Sequence, residues 1–207
     1  SDWISQTILG FKTEGESGTR EVESYWLPEC NPLFVSRCGD VIFTGSSGAG
    51  DGKGIFYKYS VRKDAVLLEE KFSAPGPMPS GFIICSHKNG SGGTWGAGRF
   101  AYSVDASEGK IYRHLASGGY PVVDSYNFAG ISPVGIAFDG KYFYIADAKS
   151  SRIYKHIGHQ NNFVPVAAYN VRLQSGDKEI SGFFKRDKNF YIVSGSNPSR
   201  LYVISVK

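Results

Sequence analysis

Short apolar runs separated by turn-forming residues recur along the whole chain. The clearest set lies in residues 132–171, where four such runs are separated by segments rich in Gly, Asp, Ser and Asn. Runs of this kind are typical of β-strands, and tight turns between them predict an antiparallel meander. A meander of four strands is one blade of a β-propeller, and we expect the rest of the chain to repeat it.

An aliphatic residue beside an aromatic one marks the third strand of each predicted blade. The pair occurs four times, at Ile55-Phe56, Ile111-Tyr112, Ile153-Tyr154 and Leu201-Tyr202. Each copy is preceded by a second strand and, before that, by an innermost strand. Three innermost strands open with Gly and an apolar residue, at Gly81, Gly135 and Gly182. Glycine suits positions where backbones approach closely, as inner strands do near the axis of a propeller.

An outer strand follows three of the four copies, but none follows the last one. Residues 4–11 have the length of the missing strand, and closing the ring with them would remove exposed strand edges. The sequence therefore predicts an all-β fold, a four-bladed β-propeller of four-stranded antiparallel blades that is closed by the N-terminal strand. The predicted single domain, 1–207, consists of blade 1 at about 32–73, blade 2 at about 81–128, blade 3 at about 133–171, and blade 4 at about 180–207 together with strand 4–11.

Composition narrows the class of protein. Of the 207 residues, 41% are hydrophobic and 20% are charged, which is typical of neither a disordered chain nor a membrane protein. The net charge of +4 is spread among interspersed acids and bases, without the Lys/Arg cluster that nucleic-acid binding requires. We expect no nucleic-acid partner and no membrane insertion. An extracellular or surface-exposed location is favoured, and the oligomeric state stays open.

The three cysteines do not form an even disulfide framework. Cys30 and Cys38 lie eight residues apart, so a bridge between them and two free thiols are both open alternatives. Cys85 follows an apolar run and is predicted to be a small buried hydrophobic residue.

Three loops are longer than a blade needs, at 12–29, 46–53 and 87–99. Loops of this kind are where binding residues are often placed. Aromatic rings among polar residues are typical of surfaces that recognise sugars or proteins. The candidate ligand-binding residues in these loops are Tyr25, Trp26, Asp51, Asn89 and Trp95. The alternative is that each tryptophan folds down as a lid over its own blade.

Residues 133–156 carry a specific repeat motif. The positions that carry it are Pro133, Gly135, Ile136, Ala137, Asp139, Gly140, Tyr144, Ala146, Asp147, Arg152 and Ile153. This segment resembles the blades of NHL and SMP-30/gluconolactonase-like propellers. The resemblance implies a six-bladed ring, so a fragment of a larger propeller is an alternative to the closed four-bladed ring. The predicted closing strand argues against that alternative.

The resemblance to SMP-30-like enzymes also implies a divalent metal on the axis, held by acidic and amide side chains. The inner strands of this chain are mostly apolar, so we expect side chains to plug the axis. We therefore transfer none of the metal ligands of those enzymes to this chain. Asp105 and Asp147 match the Asp of the repeat and are predicted to bind turn amides. No pattern typical of a nucleophilic, zinc-protease or phosphate-binding site occurs in the chain. We expect no catalytic residues and no cofactor, with Ca²⁺ kept as an alternative.

These observations favour a non-enzymatic module that binds a carbohydrate or protein partner through loops on one face. The alternatives are a metal-dependent lactonase of the SMP-30-like type and a structural scaffold domain.

Overall fold

The computed structural model describes residues 7–13, 19–27, 30–48, 52–62, 65–84, 99–159, 162–177, 179–195 and 199–205. Every helix or strand in these residues is a β-strand, and there are seventeen of them. Apart from an N-terminal pair of strands, they form four antiparallel sheets arranged as the blades of a four-bladed β-propeller. The all-β propeller predicted from the sequence is confirmed.

Each blade is a meander of consecutive strands. The N-terminal hairpin consists of β1 at Thr7–Thr13 and β2 at Thr19–Trp26. Blade 1 consists of β3 at Phe34–Cys38, β4 at Val41–Ser46, β5 at Ile55–Arg62 and β6 at Ala65–Ser73. Blade 2 consists of β7 at Pro79–Ile84, β8 at Phe100–Asp105, β9 at Lys110–Leu115 and β10 at Val122–Asn127. Blade 3 consists of β11 at Pro133–Phe138, β12 at Phe143–Asp147, β13 at Arg152–His159 and β14 at Asn162–Asn170. Blade 4 consists of β15 at Ile180–Arg186, β16 at Asn189–Ser194 and β17 at Leu201–Ser205.

The hydrophobic core is divided into layers between consecutive blades. Between blades 1 and 2, the rings of Phe56 and Phe82 lie 5.1 Å apart, centroid to centroid. The layer between blades 2 and 3 brings Tyr102 within 4.6 Å of Phe143. The layer between blades 3 and 4 brings a further ring pair together in the same way. Because each sheet buries its apolar face only against a neighbour, a blade depends on the next one for stability.

Glycines let the inner strands of consecutive blades approach closely. A β-carbon on Gly81 would lie 3.0 Å from the Cα of Gly135 in blade 3. A β-carbon on Gly135, whose φ is +111°, would lie 2.9 Å from the carbonyl oxygen of Phe183 in blade 4. These two glycines therefore have the role expected from the sequence. Gly182 differs, because the nearest atoms to its β-carbon would be those of Val193 in its own blade, at 3.5 Å.

The predicted closure of the ring by residues 4–11 is wrong. Strand β1 pairs antiparallel with β2, with Thr7 opposite Trp26 and Thr13 opposite Thr19. Blade 4 consequently has three strands among the described residues. A partner a few residues away in sequence costs less loop-closure entropy than one at the far end of the chain. The long N-terminal loop expected at 12–29 is in part this second strand.

The segment after the hairpin packs on the face of blade 1 that points away from blade 2. Leu27 and Cys30 are buried there against Tyr57 and Tyr59, with Tyr25 alongside. The Cys30 and Cys38 side chains are free thiols, and the Cys30 sulfur lies 3.7 Å from the Thr44 hydroxyl. Cys85 lies outside the described residues.

Two buried histidines occupy equivalent positions in blades 2 and 3, and their surroundings differ. In His114, Nδ1 lies 2.8 Å from the Tyr120 carbonyl oxygen and Nε2 lies 2.8 Å from the Ser103 hydroxyl. In His156, neither ring nitrogen has a hydrogen-bond partner among the described residues. Burial lowers the pKa of His156 to about 4.

We predict that Gly81→Ala destabilises the protein and that Gly182→Ala does not. The added methyl group at 81 meets the backbone of blade 3 and should cost about 1–3 kcal/mol, as overpacking does. Gly182→Ala is the matched control at the same position of blade 4 and should change the free energy of unfolding by less than about 0.5 kcal/mol. Urea unfolding followed by circular dichroism measures both values. Equal effects of the two substitutions would contradict the close approach at Gly81.

We also predict that His156 makes the protein less stable in mild acid. Its folded-state pKa of about 4 lies below the ordinary value of 6.5. Above pH 6.5 the imidazole is neutral in both states, and below pH 6.5 the unfolded chain binds a proton that the folded chain excludes. The contribution of about 3 kcal/mol is lost as the pH falls from 6.5 towards 4. His156→Leu should flatten this part of the stability profile, measured by unfolding at a series of pH values. A wild-type profile and a His156→Leu profile that run parallel would refute the prediction.

Candidate functional site at the propeller axis

An open cavity lies on the axis of the propeller. Its volume is about 1720 Å³, and residues of all four inner strands line it. The expectation that side chains plug the axis is therefore wrong. The large side chains of Phe82, Ile136 and Phe183 belong to the layers between the blades, so they pack sideways and leave the centre open.

Charged side chains gather at one end of this cavity. Each inner strand is the first strand of its blade, so all four run in the same direction along the axis. Their carboxyl ends therefore lie at one mouth of the cavity. Arg37 lies near the end of β3, Asp139 directly follows β11, and Lys185 lies near the end of β15. All three residues line the cavity. We call Arg37, Asp139 and Lys185 the mouth cluster.

Hydrogen bonds fix the orientation of Asp139. Its Oδ1 accepts from the backbone amides of Lys141 at 3.0 Å and Tyr142 at 2.8 Å, as a turn-forming Asp does. Its Oδ2 accepts from the Tyr144 hydroxyl at 2.8 Å. Asp139 and Gly140 lie in the turn between β11 and β12, which pair antiparallel. The sequence did not reveal that the same carboxylate also lies at the mouth of the cavity.

The environment keeps Asp139 ionised. Burial acts to raise the pKa of its carboxyl group, but the bonds from the Tyr142 amide, the Tyr144 hydroxyl and the Lys141 amide, with the charge of Lys185, hold the pKa below its ordinary value of 3.8. A carboxylate has about four acceptor positions, and these donors use three of them. One position is left for a ligand or a water molecule.

Lys185 is a largely buried cation held near that carboxylate. Its Nζ lies 4.0 Å from Oδ2 of Asp139 and 5.2 Å from the centre of the Tyr144 ring. It also donates a hydrogen bond to the carbonyl oxygen of Asp187. Arg37 is more exposed, and its Nε donates to the Gly39 carbonyl oxygen at 2.9 Å. Among the residues that line the cavity, this end therefore carries Arg37, Lys185, Asp139 and Asp187, a set of charges suited to a polar ligand.

Two of the ligand-binding candidates from the sequence, Tyr25 and Trp26, lie away from the cavity. Tyr25 packs against the core on blade 1, and Trp26 is exposed on the N-terminal hairpin. Neither residue lines the axial cavity. Asp51, Asn89 and Trp95 lie outside the described residues, so their role stays a prediction.

The repeated aspartates Asp105 and Asp147 are structural, as predicted. Asp147 is fully buried and accepts four hydrogen bonds, from the amides of Ile131, Ser132 and Lys149 and the hydroxyl of Ser150. Burial favours the neutral acid, but these bonds outweigh it and hold the pKa of Asp147 below its ordinary value. Asp105 binds the amides of Met78, Ser107 and Glu108 in the same way. Each carboxylate thus ties a turn to the segment that leads into the inner strand of its own blade.

The metal site that the sequence resemblance implies has no matching donors in the part of the chain that the structure describes. No three His, Cys, Asp or Glu side chains converge there in a way that could hold a metal ion. Around the cavity, Asp139 and Asp187 are the carboxylates among the lining residues. Hard divalent cations need more converging oxygens than this pair supplies.

Solved structures share this fold. A candidate 6-phosphogluconolactonase of Bacteroides uniformis matches 98% of this chain and 62% of its own, with 12% identity and a TM-score of 0.56. A second one, of Bacteroides fragilis, matches 97% and 60%, with 10% identity and a TM-score of 0.55. The periplasmic gluconolactonase of Pseudomonas aeruginosa matches 97% and 78%, with 11% identity and a TM-score of 0.56. The chain has the fold of these propellers.

The chain spans about three fifths of the length of the two Bacteroides proteins. No family model matches the sequence, and no curated protein is significantly similar to it. The assignment to NHL or SMP-30-like propellers in particular stays a prediction. The structural neighbours, two candidate 6-phosphogluconolactonases and one gluconolactonase, contradict the non-enzymatic binding module predicted from the sequence.

The described residues contain no helix of the length and hydrophobicity needed to cross a membrane.

We predict that Asp147→Ala destabilises the protein by about 3 kcal/mol or more, because it leaves buried donors without an acceptor. Asp187→Asn is the control, since Asp187 is an exposed aspartate whose carboxylate lies 3.9 Å from Arg186, and asparagine tolerates its positive φ of 53°. Its loss should cost less than about 1 kcal/mol. Thermal unfolding of both variants tests the difference. A mild effect at Asp147 would show that its four hydrogen bonds are not needed for stability.

Proposed function

We propose that this chain is a lactonase-type hydrolase that opens a sugar lactone at the axial cavity. The observation that carries the proposal is the mouth cluster, where a fixed carboxylate and a largely buried lysine lie 4.0 Å apart at the rim of a cavity of about 1720 Å³. The lactonases with the same fold support it, although at 10–12% identity they show likeness of fold alone.

Hydrolysis of a lactone requires water to add to the ring carbonyl carbon and the ring C–O bond to break. The negative charge that develops on the carbonyl oxygen is stabilised by a nearby cation that is already held in position. Lys185 supplies such a cation, and its hydrogen bond to the Asp187 carbonyl keeps it in place. In our proposal it binds the carbonyl oxygen of the substrate.

Asp139 orients the attacking water in this proposal. Its remaining acceptor position can take a hydrogen bond from water, and its depressed pKa keeps it charged at neutral pH. The proton released by water passes to the alcohol that leaves the ring. Arg37, exposed at the same mouth, binds an anionic or polyhydroxyl part of the substrate.

The carbohydrate partner expected from the sequence enters this proposal as the substrate. An extracellular or surface-exposed location is proposed as well, and the periplasmic gluconolactonase of Pseudomonas aeruginosa supports it.

We predict that the protein accelerates hydrolysis of glucono-δ-lactone or its 6-phosphate above the spontaneous rate, followed by acid release in weak buffer. Lys185→Met should lower kcat/KM about 100-fold or more, because it removes the positive charge and keeps an unbranched apolar side chain of similar length. Asp139→Asn should lower it by a similar factor. Lys188→Met, in the exposed turn after Lys185, is the control and should leave the rate unchanged.

Melting curves separate a lost function from a lost fold in these variants. No acceleration by the wild-type protein with either lactone would refute the proposal. An unchanged rate in a folded Lys185→Met protein would refute the role of the mouth cluster.

A further inference from the structure

Blades 1, 2 and 3 each carry a cation at the same position of the third strand. The residues are Lys58, Arg113 and Lys155, and each lies opposite an aromatic residue of the second strand. They are equivalent, because that aromatic partner lies three residues before the end of the second strand in every case. All three cations are partly buried. A charge held partly out of water is ordinarily balanced by an opposite charge nearby.

An acid on the outer strand balances this cation in the first two blades. The Nζ of Lys58 lies 3.0 Å from a carboxylate oxygen of Glu69, and Arg113 forms an ion pair with Asp124. In blade 3 the residue opposite Lys155 on the outer strand is Ala167, which carries no charge. Among the described residues, no carboxylate forms an ion pair with Lys155. Lys155 is therefore a partly buried cation without a counter-charge.

The ring of Tyr142 holds Lys155 together with a second lysine. The Nζ of Lys155 lies 3.8 Å from the centre of that ring, which is a close cation–π contact. The Nζ of Lys141 lies 5.0 Å from the centre of the same ring, and Lys141 likewise has no ion-pair partner among the described residues. Tyr142 packs against the core layer between blades 3 and 4, which fixes its ring. We call Lys141, Tyr142 and Lys155 the tyrosine–lysine site.

The tyrosine–lysine site lies beside the mouth of the axial cavity but is separate from it. None of its three residues lines the cavity. Lys141 and Tyr142 are in the turn that follows Asp139, and their backbone amides donate to that carboxylate. Asp139 pairs with Lys185 and forms no ion pair with either lysine of the site. The site therefore has a positive charge of its own, which the carboxylate at the mouth does not balance.

We propose that the tyrosine–lysine site binds a phosphate group, either free or carried on a small molecule. Two lysines without counter-charges match the charge of about −1.5 to −2 that a phosphate monoester carries at neutral pH. Its three oxygens can accept hydrogen bonds from both amines and from the Tyr142 hydroxyl. A carboxylate would balance only one of the two lysines. Because the site lies outside the axial cavity, the proposal does not depend on the lactonase activity.

Isothermal titration calorimetry at neutral pH and low salt tests the proposal. The probes are inorganic phosphate and glucose 6-phosphate, with glucose as the control that lacks the phosphate group. Binding of both phosphates would show that free phosphate suffices. Binding of glucose 6-phosphate alone, beyond that of glucose, would show that the group must be carried on a sugar. Either result supports the proposal, and binding of neither probe overturns it.

Substitutions locate the bound phosphate. Lys155→Met and Lys141→Met should each weaken binding about tenfold or more, because each removes a charge-assisted hydrogen bond. Lys155→Arg gives blade 3 the cation that blade 2 has at this position and should keep most of the affinity. Lys149→Met is the matched control with the same loss of charge, since Lys149 is exposed in the turn after Asp147 and its Nζ lies 3.8 Å from Glu179. It should leave the affinity unchanged.

Three outcomes with these variants overturn the proposal. One is phosphate binding that survives both Lys155→Met and Lys141→Met but is lost in Lys185→Met, because the ligand would then lie in the mouth cluster. Another is equal weakening by Lys155→Met and Lys149→Met, which would reduce the effect to net charge. The third is failure of Lys155→Arg to keep the affinity. Melting curves show whether each variant is folded, and Lys141, which is exposed, can be replaced without disturbing the core.

Discussion

The close approach of neighbouring inner strands determines the rest of the structure. A β-carbon at Gly81 or Gly135 would meet the facing backbone at about 3 Å, so the sheets of blades 2 and 3, and those of blades 3 and 4, are as near as their backbones allow. This contact brings the aromatic rings of adjacent blades together, as in the pair Tyr102 and Phe143. It also directs the large side chains of the inner strands into the layers between blades. The open axial cavity and the charged mouth are consequences of that packing.

The blades could be predicted from the sequence because their signals are local and repeated. The pair of an aliphatic and an aromatic residue marks the third strand of each blade. In the structure, Ile111 and Ile153 occupy equivalent positions in the third strands of blades 2 and 3. The role of Asp147 could also be predicted, because an aspartate beside a tight turn has backbone amides within reach of its side chain. Its buried hydrogen bonds to Ile131 and Ser132 follow the same rule over a longer distance.

The position of the N-terminal strand and the candidate site could not be predicted in this way. An apolar run predicts a strand but does not identify its partner, and the partner of β1 is the polar strand Thr19–Trp26, which resembles a loop in composition. Asp139 and Lys185 belong to different blades, so no spacing in the sequence connects them. They meet because the inner strands of blades 3 and 4 end at the same mouth.

The electrostatics of the mouth limit how the proposed hydrolysis can proceed. A carboxylate whose pKa lies below 3.8 is a weak base at neutral pH, so Asp139 gains little by accepting a full proton from water. Asp139 instead contributes a fixed orientation and a permanent charge, and both depend on its hydrogen bonds from Tyr144 and the turn amides. Most of the stabilisation of the transition state must then come from Lys185. A lactone suits such a site, because its carbonyl is reactive enough for oriented water and needs a cation more than a strong base.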